Sequence, residues 1–206
     1  MAVQEALNRG WTPFILMAFR GLLASSALSF LAFRKPFWKD TNLVKYSFLA
    51  GILLFIGFIL QTYGQILSTV SNASFITVQY VVFIPLLMFK QRKITTSVLL
   101  GVGLAVLGTG FLTLRESLSF HLGDLLLIGC AFVFAFHIVV IEKVAQSGDV
   151  IAATFIQVLT VSILGFIFSG LTQASVPTDG WLYVLYAGLI SSGAAFLLQV
   201  YGQKHV

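Results

Sequence analysis

The sequence predicts an all-α polytopic membrane protein, and three observations lead to this prediction. Of the 206 residues, 58% are hydrophobic and only 9% are charged, whereas soluble domains carry about 25% charged residues. Several uncharged stretches reach the roughly 20 residues that a helix needs to cross a bilayer. These stretches lack the alternation of polar and apolar residues that barrel strands show. A soluble globular domain, a disordered chain and a disulfide scaffold are therefore excluded.

Uncharged runs place seven membrane-spanning helices along the chain. The first run is interrupted only by Arg20, and the long run 47–89 divides at a small polar turn near residues 68–72. The later runs end at charged residues or at turn residues such as Gly180. The predicted helices cover residues 13–33, 46–67, 72–89, 95–114, 122–142, 150–171 and 181–203.

Two features inside these helices predict how the helices pack. Gly101, Ala105 and Gly108 recur on one face of the fourth helix, and small residues in that pattern are typical of close packing between membrane helices. Pro85 lies inside the third helix, where its missing N–H predicts a kink.

Lysine and arginine residues are unevenly divided between the two ends of the predicted helices. One set of loops contains nine of them and the other set contains two, Arg9 and Arg115. The basic set consists of loops 34–45, 90–95 and 142–149 and the tail after residue 203. By the positive-inside rule, we expect loops 34–45 and 90–95 to be cytoplasmic and residues 1–12 to lie on the outer side.

An internal repeat indicates the architecture of the bundle. The segment 58–65, FILQTYGQ, recurs as 196–203, FLLQVYGQ, with six of eight residues identical at an offset of 138. The two copies end the second and seventh helices, which are five spans apart and must cross in opposite directions. Such an inverted repeat is common in secondary transporters.

The same offset predicts a helical bundle of inverted five-helix repeats, with seven of ten transmembrane helices present. Residues 1–114 would form a first repeat that lacks its first helix, and residues 115–206 a second repeat that lacks its last two. We therefore expect one further span before Met1 and two after Val206.

Several segments resemble a known family, the EamA-type transporters of the drug/metabolite transporter (DMT) superfamily. The resemblance is carried by residues 61–65, 71–77 and 83–87, by Gly123-Asp124-Leu125 and by the closing segment 198–203. It implies a ten-helix permease that exports or imports metabolites by alternating access, with this chain as a fragment holding the second to eighth helices. It also implies a location in a bacterial inner (plasma) membrane.

Polar side chains inside the predicted spans are the candidate site residues, because such groups are costly in a membrane unless they face a cavity or a partner. Neutral amide and hydroxyl groups dominate the set and suit an uncharged or zwitterionic solute. The alternative for each residue is a hydrogen bond between helices. The predicted substrate-binding residues are Gln61, Tyr63, Asn72, Thr77, Gln79, Tyr80, Gln199, Tyr201 and Arg20.

Two of the candidate residues can carry a charge. Arg20 lies about 10 Å into the first helix, at 1.5 Å per residue from Pro13. It is either one half of a structural pair, for which Asp124 is the candidate partner, or an anchor for a carboxylate. His137 lies mid-way along the fifth helix, and it is either a packing residue or a proton-coupling group.

The remaining function classes are less compatible with the sequence. No catalytic constellation and no metal-ligand spacing are visible, so we expect neither an enzyme nor a cofactor. A seven-helix retinal receptor would need a lysine in its last helix, and residues 180–203 contain none. The expected partners are the lipid bilayer and a small-molecule solute, and we expect no nucleic-acid partner. The sequence leaves open whether the chain forms a homodimer. The main alternative is a non-transporting truncated fragment or subunit that needs a partner to complete the bundle.

Overall fold

The computed structural model describes residues 2–89, 95–113, 121–145 and 149–204. All regular structure in these ranges is helical. Residues 90–94 of one basic loop, Arg115 and the predicted repeat boundary at residues 114 and 115 lie outside the described residues. The all-α fold expected from the sequence is confirmed.

The helices follow the order predicted from the uncharged runs, with two short additions. A short helix precedes the first predicted span, and a 3₁₀ turn at Phe37–Lys39 follows it. The α-helices are α1 (Ala2–Asn8), α2 (Pro13–Ala32), α3 (Thr41–Ile66), α4 (Val70–Val78), α5 (Tyr80–Met88), α6 (Thr96–Thr113), α7 (Leu122–Ala145), α8 (Val150–Leu171), α9 (Trp181–Gly188) and α10 (Ala195–Gln203). A π-helix, Leu189–Ala194, joins α9 to α10.

Six helical runs of the described chain are long and apolar enough to cross a membrane. They are Pro13–Ala32, Thr41–Ile66, Val70–Met88, Leu122–Ala145, Val150–Leu171 and Trp181–Gln203. The fourth predicted span corresponds to α6. Its apolar part, Thr96–Gly108, is shorter than the six runs named above. The chain is therefore a polytopic membrane protein, as the composition predicts.

The third predicted span is interrupted at Gln79, between α4 and α5, six residues before Pro85. In a regular α-helix the backbone N–H of Gln79 would bond to the carbonyl of Phe75. Instead the side-chain amide of Gln79 donates to that carbonyl at 3.1 Å, and its backbone N–H turns to Ile76 at 3.1 Å. At this interruption the side-chain amide takes the place of the backbone donor at the carbonyl of Phe75, while Pro85 stays inside α5.

The described residues form two compact units. The first unit comprises Met1–Phe55 and Val140–Val206, and the second comprises Ile56–Val139. Each unit includes residues from both sides of the predicted repeat boundary, so the spatial units and the sequence repeats are different divisions of the chain.

In the first unit, α2 packs antiparallel along α8 through small residues. A Cβ added at Gly165 would lie 2.4 Å from the backbone nitrogen of Ala18, and one added at Gly21 would lie 2.7 Å from that of Ser162. Further along the pair, Ala24, Leu28 and Ala32 of α2 share a buried cluster with Phe155 of α8. Residues later in α2 contact residues earlier in α8, so the two helices run in opposite directions.

In the second unit, glycines again permit close approach of helices. A Cβ at Gly57 would lie 2.3 Å from the ring of Phe134, and one at Gly123 would lie 2.4 Å from the carbonyl oxygen of Gly64. A Cβ at Gly101 or Gly108 would meet nothing within 4 Å among the described residues. Among the described residues these glycines contact no neighbouring helix, so a close-packed glycine face on α6 stays a prediction.

Candidate functional site

A buried guanidinium lies within the first unit. Arg20, on α2, is 4% exposed. Its Nε donates a hydrogen bond of 2.8 Å to Oγ of Ser192, and its Nη1 lies 3.9 Å from Sδ of Met17. An arginine at the centre of a membrane helix costs about 2.5–3.5 kcal/mol on insertion scales, and hydrogen bonds offset part of that cost. The contact with Ser192 fixes the orientation of a positive charge inside a membrane span.

The partner of Arg20 lies in the π-helical segment of the last span. Ser192 is 2% exposed. It lies in the π-helix Leu189–Ala194, which separates α9 from α10. Gly188, just before this segment, approaches α2 so closely that a Cβ there would lie 3.1 Å from the carbonyl oxygen of Arg20. π-helical turns inside α-helices frequently mark functional sites. The local widening and the close approach together bring Ser192 to the guanidinium.

A second polar cluster lies in the second unit around the carboxylate of Asp124, which is 3% exposed. This carboxylate accepts hydrogen bonds from the Ser68 hydroxyl, from the Asn72 amide at 3.3 Å and from the backbone N–H of His121 at 2.8 Å. Asp124 occupies the first turn of α7, where the helix dipole favours a negative charge. The cluster ties the turn between α3 and α4 to the start of α7.

This cluster determines how Asn72 is used. The sequence predicts Asn72 as a substrate-binding residue, and the structure directs its amide to Asp124. Its backbone N–H bonds to Oγ1 of Thr69, the N-cap of α4, at 3.0 Å. These contacts favour a structural role for Asn72, which was one of the two alternatives open from the sequence.

The other candidate residues of the second unit lie on α3, α4 and α5 and at the break between them. Gln61 is half-buried, and Tyr63 is 36% exposed. Thr77 is buried and faces the thiol of Cys130, although the geometry falls short of a hydrogen bond. Gln79 lies at the interruption between α4 and α5, and Tyr80 is half-buried.

Aromatic rings lie beside Tyr80 and along α5. The Tyr80 ring stands edge-on to Phe134 with the ring centroids 6.5 Å apart, and Phe58 meets Phe134 at 5.9 Å. Phe83, next along α5, meets Phe132 at 5.8 Å. Edge-to-face pairs of this kind stabilise packing by about 0.5–1.5 kcal/mol each. Aromatic side chains of α3, α5 and α7 therefore pack next to the polar candidate Tyr80.

The repeat-related residues Gln199 and Tyr201 belong to α10 in the first unit. Gln199 is half-buried, while Tyr201 is 55% exposed and lines an open pocket of about 490 Å³. Arg20 lies in the same unit, whereas the other six substrate-binding candidates lie in the second unit. The expectation that both sets serve one solute stays a prediction.

His137 is 1% exposed and lies on α7 in the second unit. Proton exchange at such a buried ring requires a change in the surrounding packing. The role of His137 in proton coupling stays a prediction, as does the pairing of Arg20 with Asp124.

Two residues with clear roles in the structure were not candidates from the sequence. Ser192 carried only the weak signal of a small residue in the last helix, and nothing in the sequence indicates the π-helical segment that presents it. From the sequence, Asp124 is only a candidate partner for Arg20. The capping-box spacing from His121 to Asp124 was the signal that could have found its contact with the backbone.

Comparisons with known proteins give a consistent result. The profile of the EamA-like transporter family matches residues 1–114 and 121–206. A protein of Archaeoglobus fulgidus described as an uncharacterized transporter is 29% identical to this chain, over 94% of this chain and 61% of its own length. This chain therefore spans less than two thirds of that relative.

One solved crystal structure also has the same fold. It superposes with a TM-score of 0.73 at 19% sequence identity, over 98% of this chain and 76% of the other. At that identity the likeness establishes the fold alone.

Proposed function

The chain belongs to the EamA-like transporter family, and from this premise we propose that it takes part in moving a small organic solute across a membrane. The transport is that of a secondary carrier, which works by alternating access between inverted repeats. The family is one of transporters, so we expect no enzymatic reaction and no cofactor. The membrane is a bacterial inner membrane, with loops 34–45 and 90–95 in the cytoplasm.

The antiparallel packing of α2 on α8 is the observation that carries this proposal. Under the offset of 138, residues 13–32 correspond to residues 151–170, so these two helices are repeat mates. Repeat mates that cross the membrane in opposite directions are what an inverted repeat requires. The two matched ranges of the family profile, 1–114 and 121–206, support a division into two repeats near residues 114 and 115.

The proposed solute carries a carboxylate, and Arg20 is its anchor. A guanidinium binds a carboxylate through paired N–H donors, and a buried site strengthens that attraction because little water screens it. Ser192 holds the Nε edge of Arg20 at 2.8 Å and so orients the group. A zwitterionic solute such as an amino acid fits this charge together with a neutral side chain such as Gln199 of the same unit.

Counterflow in proteoliposomes tests transport. Vesicles containing the full chain are loaded with one unlabelled amino acid or small organic acid at a time, and uptake of the same labelled compound is followed. We expect transient accumulation of at least one compound above that in empty vesicles. The Gln61→Ala variant should insert normally and transport less. Absence of counterflow for the whole set, with correctly folded and inserted protein, would contradict the proposed solute class.

A further inference from the structure

An open pocket at the basic end of the first unit is separate from Arg20. It has a volume of about 490 Å³ and is lined by three segments: the loop after α2, the start of α8 and the end of α10. Its wall contains Val150, Ile151, Leu197 and Leu198, and its charged groups are Lys35, Lys204 and Asp149. Tyr201 completes the lining. An apolar wall beside two lysines matches a molecule with an apolar body and an anionic head.

The single acidic group that lines the described pocket is already engaged. The carboxylate of Asp149 caps α8 by accepting a hydrogen bond of 3.1 Å from the backbone N–H of Ala152. The N-terminus of α8 contributes further positive potential at the same place. With two ammonium groups against one capped carboxylate, the pocket is electropositive.

Neighbouring aromatic residues indicate that this end of the unit lies at the membrane surface. Phe33 and Trp38 are 57% and 56% exposed, and their rings pack with Phe37 at 5.5 and 5.4 Å. Exposed tryptophan at the end of a membrane span is typical of the interface with lipid headgroups. Lys35 lies in the same short loop, so its ammonium is placed at headgroup depth.

We propose that this pocket binds an anionic phospholipid, with the phosphate at Lys35 and Lys204 and an acyl chain along the leucine and valine wall. Basic pockets between helices at the cytoplasmic end of membrane proteins bind anionic headgroups in this manner. Leu198 is 68% exposed, so a chain reaches the wall from the surrounding bilayer without displacing protein. The bound lipid joins the loop after α2 to α8 and α10.

Native mass spectrometry of the purified full chain in detergent tests this site. The probes are a phosphatidylglycerol and a phosphatidylcholine with identical acyl chains. We expect the wild-type chain to retain one phosphatidylglycerol more tightly than phosphatidylcholine. The Lys35→Gln/Lys204→Gln variant should lose about fivefold in affinity for each lysine, or about 25-fold for the pair.

Two matched variants make the result specific. Lys39→Gln/Lys45→Gln removes two exposed lysines that do not line the pocket, and it should bind phosphatidylglycerol like the wild type. Asp149→Asn removes the opposing charge, and since asparagine also caps helices well, this variant should bind phosphatidylglycerol more tightly.

Three outcomes would overturn the proposal. Equal losses of phosphatidylglycerol affinity in the Lys35→Gln/Lys204→Gln and Lys39→Gln/Lys45→Gln variants would mean that surface charge in general attracts the lipid. Equal retention of phosphatidylcholine would mean an unspecific apolar groove. Displacement of the lipid by millimolar inorganic phosphate would mean a site for free anions rather than for a lipid. None of these readouts depends on transport, so the proposed function is tested separately.

Discussion

Arg20 and Ser192 illustrate how one hydrogen bond can matter inside a membrane. The guanidinium is 4% exposed, and the hydroxyl that accepts from its Nε is 2% exposed. Removal of the hydroxyl leaves a buried charged donor without that acceptor, and such a loss costs about 1–3 kcal/mol or more.

The Ser192→Ala variant should therefore unfold at a lower temperature than the wild type, with a loss of about 1–3 kcal/mol in unfolding free energy. Thermal or denaturant unfolding in detergent measures the difference. The neighbouring Ser191→Ala variant is the control and should change stability by less. Equal stability of wild type and Ser192→Ala would show that the Arg20–Ser192 bond contributes nothing.

Asp124 is the acceptor that holds the second cluster together. Its replacement by alanine removes the acceptor of the Ser68 hydroxyl, the Asn72 amide and the His121 backbone N–H. Because bonds to a charged group are worth about 1.5–3 kcal/mol, Asp124→Ala should destabilise the chain by at least about 2 kcal/mol. Asp124→Asn should cost less, since it keeps one oxygen acceptor.

The comparison variant for Asp124 is Glu5→Ala, which removes an acid from an exposed position on α1. It should leave the unfolding curve in detergent near that of the wild type. If Asp124→Ala and Glu5→Ala have the same stability, the contacts of Asp124 do not stabilise the fold.

Glycines set the distance between α2 and α8. A Cβ on Gly165 would lie 2.4 Å from the backbone nitrogen of Ala18, and backbone cannot move aside as a flexible side chain can. Gly170, on the same helix, has nothing within 4 Å of such a Cβ. An alanine at position 165 tests helix packing, whereas an alanine at position 170 tests helix propensity alone.

The Gly165→Ala variant should lose about 1–3 kcal/mol of stability through overpacking, measured by unfolding in detergent. Gly170→Ala should be as stable as the wild type or slightly more stable, because alanine is the better helix former. A Gly165→Ala variant as stable as Gly170→Ala would contradict the close packing of α2 against α8.

The short helix α1 is tied to the start of α9 by contacts outside the membrane spans. Arg9 pairs with Asp179, and the indole N–H of Trp11 donates to the carbonyl oxygen of Asp179 at 2.8 Å. The Gly180 backbone N–H and then Arg9 hold the pKa of Asp179 below its usual value. The pair in turn raises the pKa of Arg9.

A group whose pKa is lowered by folding stabilises the fold above its unfolded pKa and loses that effect as the pH falls. Acid should therefore loosen α1 from α9 as the pH drops below about 4, the unfolded value for aspartate. The emission of Trp11 and Trp181, whose rings are 4.9 Å apart, reports the change. Asp179→Asn should remove this pH dependence, and an unchanged acid transition in that variant would exclude the carboxylate as its cause.

The membrane-spanning helices could be predicted from the sequence because hydropathy reports directly on length and lipid exposure. All seven predicted helices have counterparts among the described elements, and six of these are long and apolar enough to cross a membrane. Packing partners could not be predicted, since the spacing of Gly101 and Gly108 is the same whether a neighbouring helix is present or not. Equally, hydropathy does not reveal the break at Gln79 or the π-helical segment around Ser192, because neither changes the run of apolar residues.

The candidate site was predictable in kind but not in detail. Arg20 could be recognised because a lone charge in an apolar run is costly. Its partner Ser192 lies 172 positions away and is one of several serines in membrane helices. For Asn72, the sequence left two roles open, and only the contact with Asp124 favours the structural one.

Transport of a carboxylate and of its matching amide, compared between wild type and Arg20→Gln in proteoliposomes, tests the central claim most directly. The claim is that this chain is a carrier that anchors a carboxylate solute at Arg20. It predicts that the wild type moves the carboxylate but not the amide, and that Arg20→Gln, once shown to be folded and inserted, no longer moves the carboxylate. Equal transport of both compounds, or of the carboxylate by both proteins, would contradict it.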